Sequence, residues 1–165
     1  MEQRSDALES PMTPATKQLD ALGVRYRTVS YEHDADASSH GAETVEALGL
    51  DADTVFKTLL ASVDGSLVVA CVPVSSMLNL KGLARAAGGK KAVMADPALA
   101  ERTTGYVVGG ISPLGQRKRL PTYIDEICEA LDEMYVSGGR RGLEIAIAPA
   151  DLVSTLDATV APIAT

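Results

Sequence analysis

The segment "TVFKTLLASVDGSLVVACVPV", Thr54–Val74, limits the fold more than any other part of the chain. Two apolar runs rich in β-branched residues flank Asp64-Gly65, a dipeptide that favours the positive backbone angles of a tight hairpin. Alternation along the first run places Val55, Lys57, Leu59, Ala61 and Val63 on one face and Phe56, Thr58, Leu60 and Ser62 on the other. The second run is apolar almost throughout, as expected of a strand inside a sheet. An antiparallel pair at the centre of the fold is therefore the starting point, and Lys57 is its misfit. Its stem can snorkel to the sheet rim or guard an edge strand. A cation in a cleft can instead hold a phosphate or stabilise a developing oxyanion.

Around this hairpin the punctuation is regular. Thr13 and Pro14 open a helix that Gly23 closes. "YRTVSYE" alternates like a strand, "HDADASSHG" is a polar loop, and "AETVEALGL" forms a short helix. Leu80–Ala87 is helical, "KAVMA" is a short strand, and Asp96-Pro97 starts the helix "PALAERT". "GYVV", "LPTYIDEIC", "EMYVSG" and "LEIAIA" each read as strands, and Pro149 opens a last helix before a short apolar end. About eight strands, four or five short helices and frequent hairpins predict an α+β fold with a mixed, mostly antiparallel twisted sheet, not a doubly wound one.

With 165 residues, 46% of them apolar, one domain over residues 12–165 is expected, preceded by a flexible extension at 1–11. One Phe and no Trp leave the core to Val, Leu, Ile and Ala. No apolar stretch approaches the roughly 18 residues of a membrane span, and the N-terminus lacks a signal-peptide run, so a cytoplasmic protein is expected. Cys71 and Cys128 form no paired motif and read as buried thiols. His33 and His40 lie seven apart without a third strong ligand, so neither a metal nor another cofactor is expected.

A net charge of −7 disfavours a general nucleic-acid coat. Positive charge clusters locally at Lys90-Lys91, Arg117–Arg119 and Arg140-Arg141, each beside glycine or in a loop, a pattern that suits either a solvated surface or a local phosphate-binding rim. "VGGISPLG", Val108–Gly115, has the glycines of a backbone anion cradle but neither a Walker nor a dinucleotide signature. No nucleophile elbow and no Cys/His/Asn set is present. An enzyme built on these residues would work with one cation and a backbone cradle.

Taken together, "YEHD" (Tyr31–Asp34), "VFKTLL" (Val55–Leu60), "MADP" (Met94–Pro97), "TTGYVVGGISPLGQRKRLPT" (Thr103–Thr122) and "YVSGGRRGLEI" (Tyr135–Ile145) resemble the YbaK/EbsC family, in particular its Cys-tRNA(Pro) deacylase branch, related to the editing domain of bacterial prolyl-tRNA synthetases. The resemblance runs in order from about Met12 to Ala164. It implies hydrolysis of the ester of mischarged tRNA, with the aminoacyl-tRNA acceptor end as partner and a prolyl-tRNA synthetase as a second one. It implies catalytic roles for Lys57, Gly109 and Gly110. It implies substrate binding by Tyr31, His40, Thr58, Ile111, Ser112, Pro113, Ser137 and Glu144. In that branch the substrate's own thiol attacks its ester, so no protein nucleophile is needed. Two positions depart from the pattern: His40 stands where an aromatic residue is common, and Glu144 where Asp is common. The alternatives are a deacylase of another mischarged tRNA, such as Ala-tRNA(Pro), that uses water, and a non-catalytic module that binds aminoacyl-tRNA or nucleotides.

Overall fold

The computed structural model describes residues 11–33 and 40–165. The expected extension therefore falls almost wholly outside the described residues, as does most of the polar loop before Gly41. Among the described residues the order is α1 (Pro14–Leu22), β1 (Arg27–Ser30), α2 (His40–Leu48), β2 (Phe56–Val63), β3 (Ser66–Pro73), α3 (Leu80–Ala86), β4 (Ala92–Met94), α4 (Pro97–Thr104), β5 (Thr122–Asp125), a 3-10 turn (Glu126–Ala130), β6 (Met134–Ser137), β7 (Leu143–Ile147), α5 (Pro149–Leu156) and β8 (Thr159–Ala161).

Local chemistry sets most of these boundaries. The Thr13 hydroxyl accepts the Thr16 N–H, and Gly23 ends α1 in the left-handed conformation. Asn79 and Asp96 cap α3 and α4 in the same way. The Asp64-Gly65 turn joins β2 to β3 in register from Phe56↔Pro73 to Val63↔Ser66. The Asp64 carboxylate then accepts the N–H groups of Lys90 and Lys91, which leads the chain into β4.

The α+β expectation holds, with four antiparallel pairings against two parallel ones. The strands divide into two sheets where the sequence suggested one: β4-β2-β3-β5-β8 and β1-β7-β6. Among the described residues a single bridge, Val55↔Tyr135, links them. The side chains of β2 and β3 feed two apolar clusters, one on each face. Phe56, Leu60, Val69 and Cys71 pack with α1, α4, α5 and the small sheet. Ala61, Val63, Val68, Ala70 and Val72 pack beneath Leu83 and Ala84 of α3, together with Ile163. Phe56 is 2% exposed, so the lone phenylalanine lies in the core. Each such side chain contributes about 1.5–3 kcal/mol by leaving water. Cys71 and Cys128 are both free and buried.

Three local expectations change. "GYVV" is not a strand: Gly105 ends α4 with φ 84°, and the Gly110 N–H closes a turn onto the Val107 carbonyl. "LPTYIDEIC" is extended only over Thr122–Asp125, because the Asp125 carboxylate accepts the Ile127 N–H and starts the 3-10 turn. The apolar end supplies an eighth strand, Thr159–Ala161, paired in parallel with β5.

Candidate active site

The cavity begins as a defect in sheet pairing. Strand β4 covers β2 only from Ala61 onward, ending with the Ala95 N–H donated to the Leu60 carbonyl. At the other end the Tyr135 N–H donates to the Thr54 carbonyl, which draws β6 alongside. Between these two bonds the edge of β2 has no partner strand among the described residues. Because peptide groups alternate sides in a ladder, those of Thr58 face the same open edge as Leu60's carbonyl. A cavity of about 340 Å³ fills the gap.

Its floor is Val55–Leu60, with half-buried Lys57 and Thr58 among them. Ser137 of β6 and Glu144 of β7 form the facing wall; Gly41 and Thr44 of α2 and Val74 close one end. Met94, Ala95, Pro97 and Ala100 close the other, and Val108, Gly109 and Ile111 complete the ring. Ser137 and Glu144 are directly paired in register with one another. Among the described residues the Lys57 ammonium makes no hydrogen bond and no ion pair, and no cysteine lines the cavity.

The loop after α4 is held from both sides. The Glu101 carboxylate accepts the Val108 N–H at 2.8 Å, and the Arg141 guanidinium donates to the Val108 carbonyl through Nε and Nη2 at 3.0 and 2.6 Å. Gly109 follows with φ 92°, a conformation natural to glycine. A Cβ on Gly110 would lie 2.8 Å from the Arg140 Cα, so the loop and the β6–β7 turn meet backbone to backbone. Among the described residues the N–H groups of Gly109 and Ile111 have no protein acceptor.

Glu144 is the electrostatic anomaly. It is 7% exposed, and among the described residues its carboxyl has neither a hydrogen bond nor an ion pair. Burial alone pushes its pKa up to about 8. Tyr31 stands near it: burial raises the phenol's pKa, and the charges of Glu144 and Glu43 add to the shift. The Tyr31 hydroxyl is bonded to Thr44 Oγ1 at 2.6 Å, which ties the end of β1 to the α2 side of the cavity.

Residues 35–155 match the model of the aminoacyl-tRNA editing domain. A protein of Enterococcus faecalis (strain ATCC 700802 / V583), named as a candidate Cys-tRNA(Pro)/Cys-tRNA(Cys) deacylase, EbsC, is 37% identical over 155 residues, covering 93% of each chain. This chain belongs to the aminoacyl-tRNA editing family. The crystal structure of the hypothetical protein APE2540 superposes with a TM-score of 0.82 at 23% identity, over 93% of this chain and 100% of that one. That of a candidate trans-editing enzyme for prolyl-tRNA synthetase gives 0.78 at 24% identity, over 94% and 99%. Both share the fold.

Within this editing-family fold, Lys57, Thr58, Gly109, Ile111, Ser137 and Glu144 line one cavity. The other residues singled out from the sequence stand elsewhere. The Gly110 N–H is committed to Val107, so it is not among the unclaimed donors of the cradle. Ser112 is fully buried; its hydroxyl accepts the Leu114 N–H and its carbonyl accepts from Gln116 Nε2, a turn-stabilising arrangement. Pro113 lines a separate small cavity with Gln18 and Leu120. Tyr31 reaches the site through Thr44. His40 opens α2, and its side chain lies outside the described residues. Thr44 itself was missed, since nothing in "AETVEAL" distinguishes it from a helix surface. Met94, Ala95 and Pro97 were legible as the "MADP" block but carried no chemistry. The basic pair Arg140-Arg141 does not act as two free cations, because Arg141 serves the loop. Among the described residues no helix is long and apolar enough to cross a membrane.

Proposed function

We propose that this protein is a trans-editing aminoacyl-tRNA deacylase whose preferred substrate is Cys-tRNA(Pro). The observation that carries the reading is the 37% identity, across 93% of both chains, to a relative named as a candidate Cys-tRNA(Pro)/Cys-tRNA(Cys) deacylase. The likeness to a candidate trans-editing enzyme for prolyl-tRNA synthetase points the same way. The cavity suits the reaction: it offers a cation and unclaimed backbone donors, and no thiol of its own.

In this reading the terminal ribose rests against Lys57, and the ester carbonyl lies against the N–H groups of Gly109 and Ile111. The cysteinyl thiol attacks the carbonyl carbon. The new S–C bond closes a four-membered ring, the C–O bond to the ribose breaks, and the thiol proton leaves with the ribose oxygen. Water then opens the thiolactone to free cysteine. Donors placed at the developing oxyanion stabilise the transition state more than the ground state. Attack within one molecule can lower the barrier by about 7 kcal/mol or more. Alanine and proline lack the thiol and are spared. With a net charge of −7 the protein holds tRNA weakly by itself, and a prolyl-tRNA synthetase bound to the same tRNA supplies the missing surface. The site of action is the cytoplasm, with the translation machinery.

The test is release of labelled amino acid from Cys-tRNA(Pro) and Ala-tRNA(Pro) side by side, with wild type and Lys57→Ala. The expected result is loss of the cysteine label alone, slowed at least 100-fold in the variant while its circular dichroism spectrum is retained. Release of alanine instead would move the attack to water. Undiminished turnover by Lys57→Ala would remove that residue from the mechanism, and no release from either substrate would overturn the reading.

A further inference from the structure

Buried carboxyls in folded proteins are almost always paired or hydrogen-bonded, because an unpartnered one in an apolar setting is costly. Glu144 breaks this rule inside the cavity. It is 7% exposed and lies on the wall opposite the open edge of β2. Among the described residues, no donor from β2, α2, the Gly109 loop or the small sheet reaches either oxygen. Lys57, the cation that shares the cavity, is not within ion-pair distance. Much of the remaining lining is apolar, including Val55, Phe56, Leu60 and Val74.

A wall that holds one acid buried and unpaired is complementary to a compact cation carrying several donors. We propose that Glu144 receives the α-ammonium group of the substrate's aminoacyl moiety, so that the site accepts only aminoacyl esters with a free α-amino group and rejects N-acylated ones, including peptidyl esters. The inference rests on the deacylase reading for the identity of the ligand, although binding alone can test it.

Three observations support the assignment. The cavity of about 340 Å³ has room for a small aminoacyl group together with part of the ribose that carries it. An acyl cap would replace the ammonium with a neutral amide at the point where the acid waits for a cation. Ser137, directly paired with Glu144 across β6 and β7, supplies a hydroxyl on the same wall. An amino group esterified through its own carboxyl also ionises near neutrality, in the range of an α-amine, roughly 7.7–8.0. Burial brings the Glu144 carboxyl to about 8, so a proton can pass between the two groups at little cost. This makes the ion pair at the moment of binding and leaves no bare charge in the empty cavity. Tyr31 and Glu43 are the other titratable groups on that side, and the charges of Glu43 and Glu144 both raise the pKa of the Tyr31 phenol behind Thr44.

The experiment is calorimetric titration with 3′-amino-3′-deoxyadenosine carrying cysteine or alanine in amide linkage, each with the α-amine free or acetylated. The wild type is expected to bind the free amines at least tenfold more tightly. Glu144→Gln should bind both forms alike, and Glu144→Asp should restore the preference. Equal affinity of the wild type for free and acetylated forms, or a preference that survives in Glu144→Gln, would overturn the proposal; the wild-type comparison does not depend on any variant folding. Deacylation of Cys-tRNA(Pro) and N-acetyl-Cys-tRNA(Pro) separates the two claims. Equal release from both would sink the ammonium site and leave the deacylase, whereas release from neither would sink the deacylase and leave the binding result to stand by itself.

Discussion

The Arg141 guanidinium holds the carbonyl of Val108 with two donors, at 3.0 Å from Nε and 2.6 Å from Nη2. This places a turn residue from between β6 and β7 in control of the loop that carries Gly109 and Ile111. A charge-assisted bond is stronger than a neutral one, but on an exposed side chain its net contribution to stability is reduced to about 1 kcal/mol. Arg141→Ala should leave the fold intact, because the side chain is exposed, while loosening the cradle. The expected result is a fall of roughly tenfold or more in single-turnover deacylation, with a thermal midpoint within a few degrees of wild type. Arg141→Lys should recover little, since an ammonium cannot reproduce the forked contact. A rate unchanged in Arg141→Ala would show that the loop holds its shape without the clamp.

Gly110 tests the packing beneath the same loop. Its added Cβ would lie 2.8 Å from the Arg140 Cα and 3.0 Å from both the Arg140 carbonyl carbon and the Arg141 nitrogen. All three are backbone atoms that cannot swing aside. Gly110→Ala is therefore expected to destabilise the protein by about 1–3 kcal/mol and to lower deacylation with it. Urea unfolding measures the first effect; a midpoint equal to wild type would mean that the two turns separate easily.

Glu144 predicts an unusual dependence of stability on pH. Its carboxyl titrates at about 8 when folded, above the ordinary value of 4.5 that applies to the unfolded chain. The folded state therefore binds the proton more tightly. This contribution to stability is full below pH 4.5, declines as pH rises towards 8, and is absent above that. The loss is on the order of a few kcal/mol. In Glu144→Gln the decline should vanish, so the midpoints of variant and wild type should separate progressively between pH 5 and pH 8, with the variant more stable at the alkaline end. Parallel curves across that range would contradict the assignment of a protonated, buried acid.

Asp125 anchors the last strand. Its Oδ1 accepts the N–H groups of both Ile163 and Ala164 at 2.9 Å, and Oδ2 accepts that of Ile127 at 3.1 Å. Asp125→Ala leaves these donors without their acceptor and should cost about 2–4 kcal/mol, seen as a thermal midpoint lowered by roughly 5–15 °C. Deacylation at low temperature should be largely preserved, because the residue lies away from the cavity. A full loss of activity in a folded variant would link the C-terminal seam to the site.

The hairpin and the helix caps were legible because each rests on local chemistry: Asp64-Gly65 for the turn, Thr13, Asn79 and Asp96 for the helix starts. Lys57 was legible as a misfit in an otherwise regular alternation. The division into two sheets was not, since it depends on where β4 leaves β2 and where Tyr135 joins Thr54, contacts that connect distant segments. For the same reason "GYVV" has the composition of a strand but is folded into the turn that the Gly110 N–H closes on Val107, whereas Thr159–Ala161 finds β5. The unpaired state of Glu144 could not be read from the sequence either, because it is defined by what fails to approach it.

The register Arg27↔Ala146 and the pairing of Lys57's strand with its immediate neighbour across Asp64-Gly65 also place the two sides of the cavity far apart along the chain. The floor of the cavity is made of contacts close in sequence, and it can form while the chain is still being synthesised. The facing wall, with Ser137 and Glu144, emerges some eighty residues later and must then recruit β1 from the opposite end of the fold. Closing so long a loop is slow. A nascent chain thus exposes the lysine long before the acid, and the cavity is complete only once β6 and β7 have joined β2 and β1.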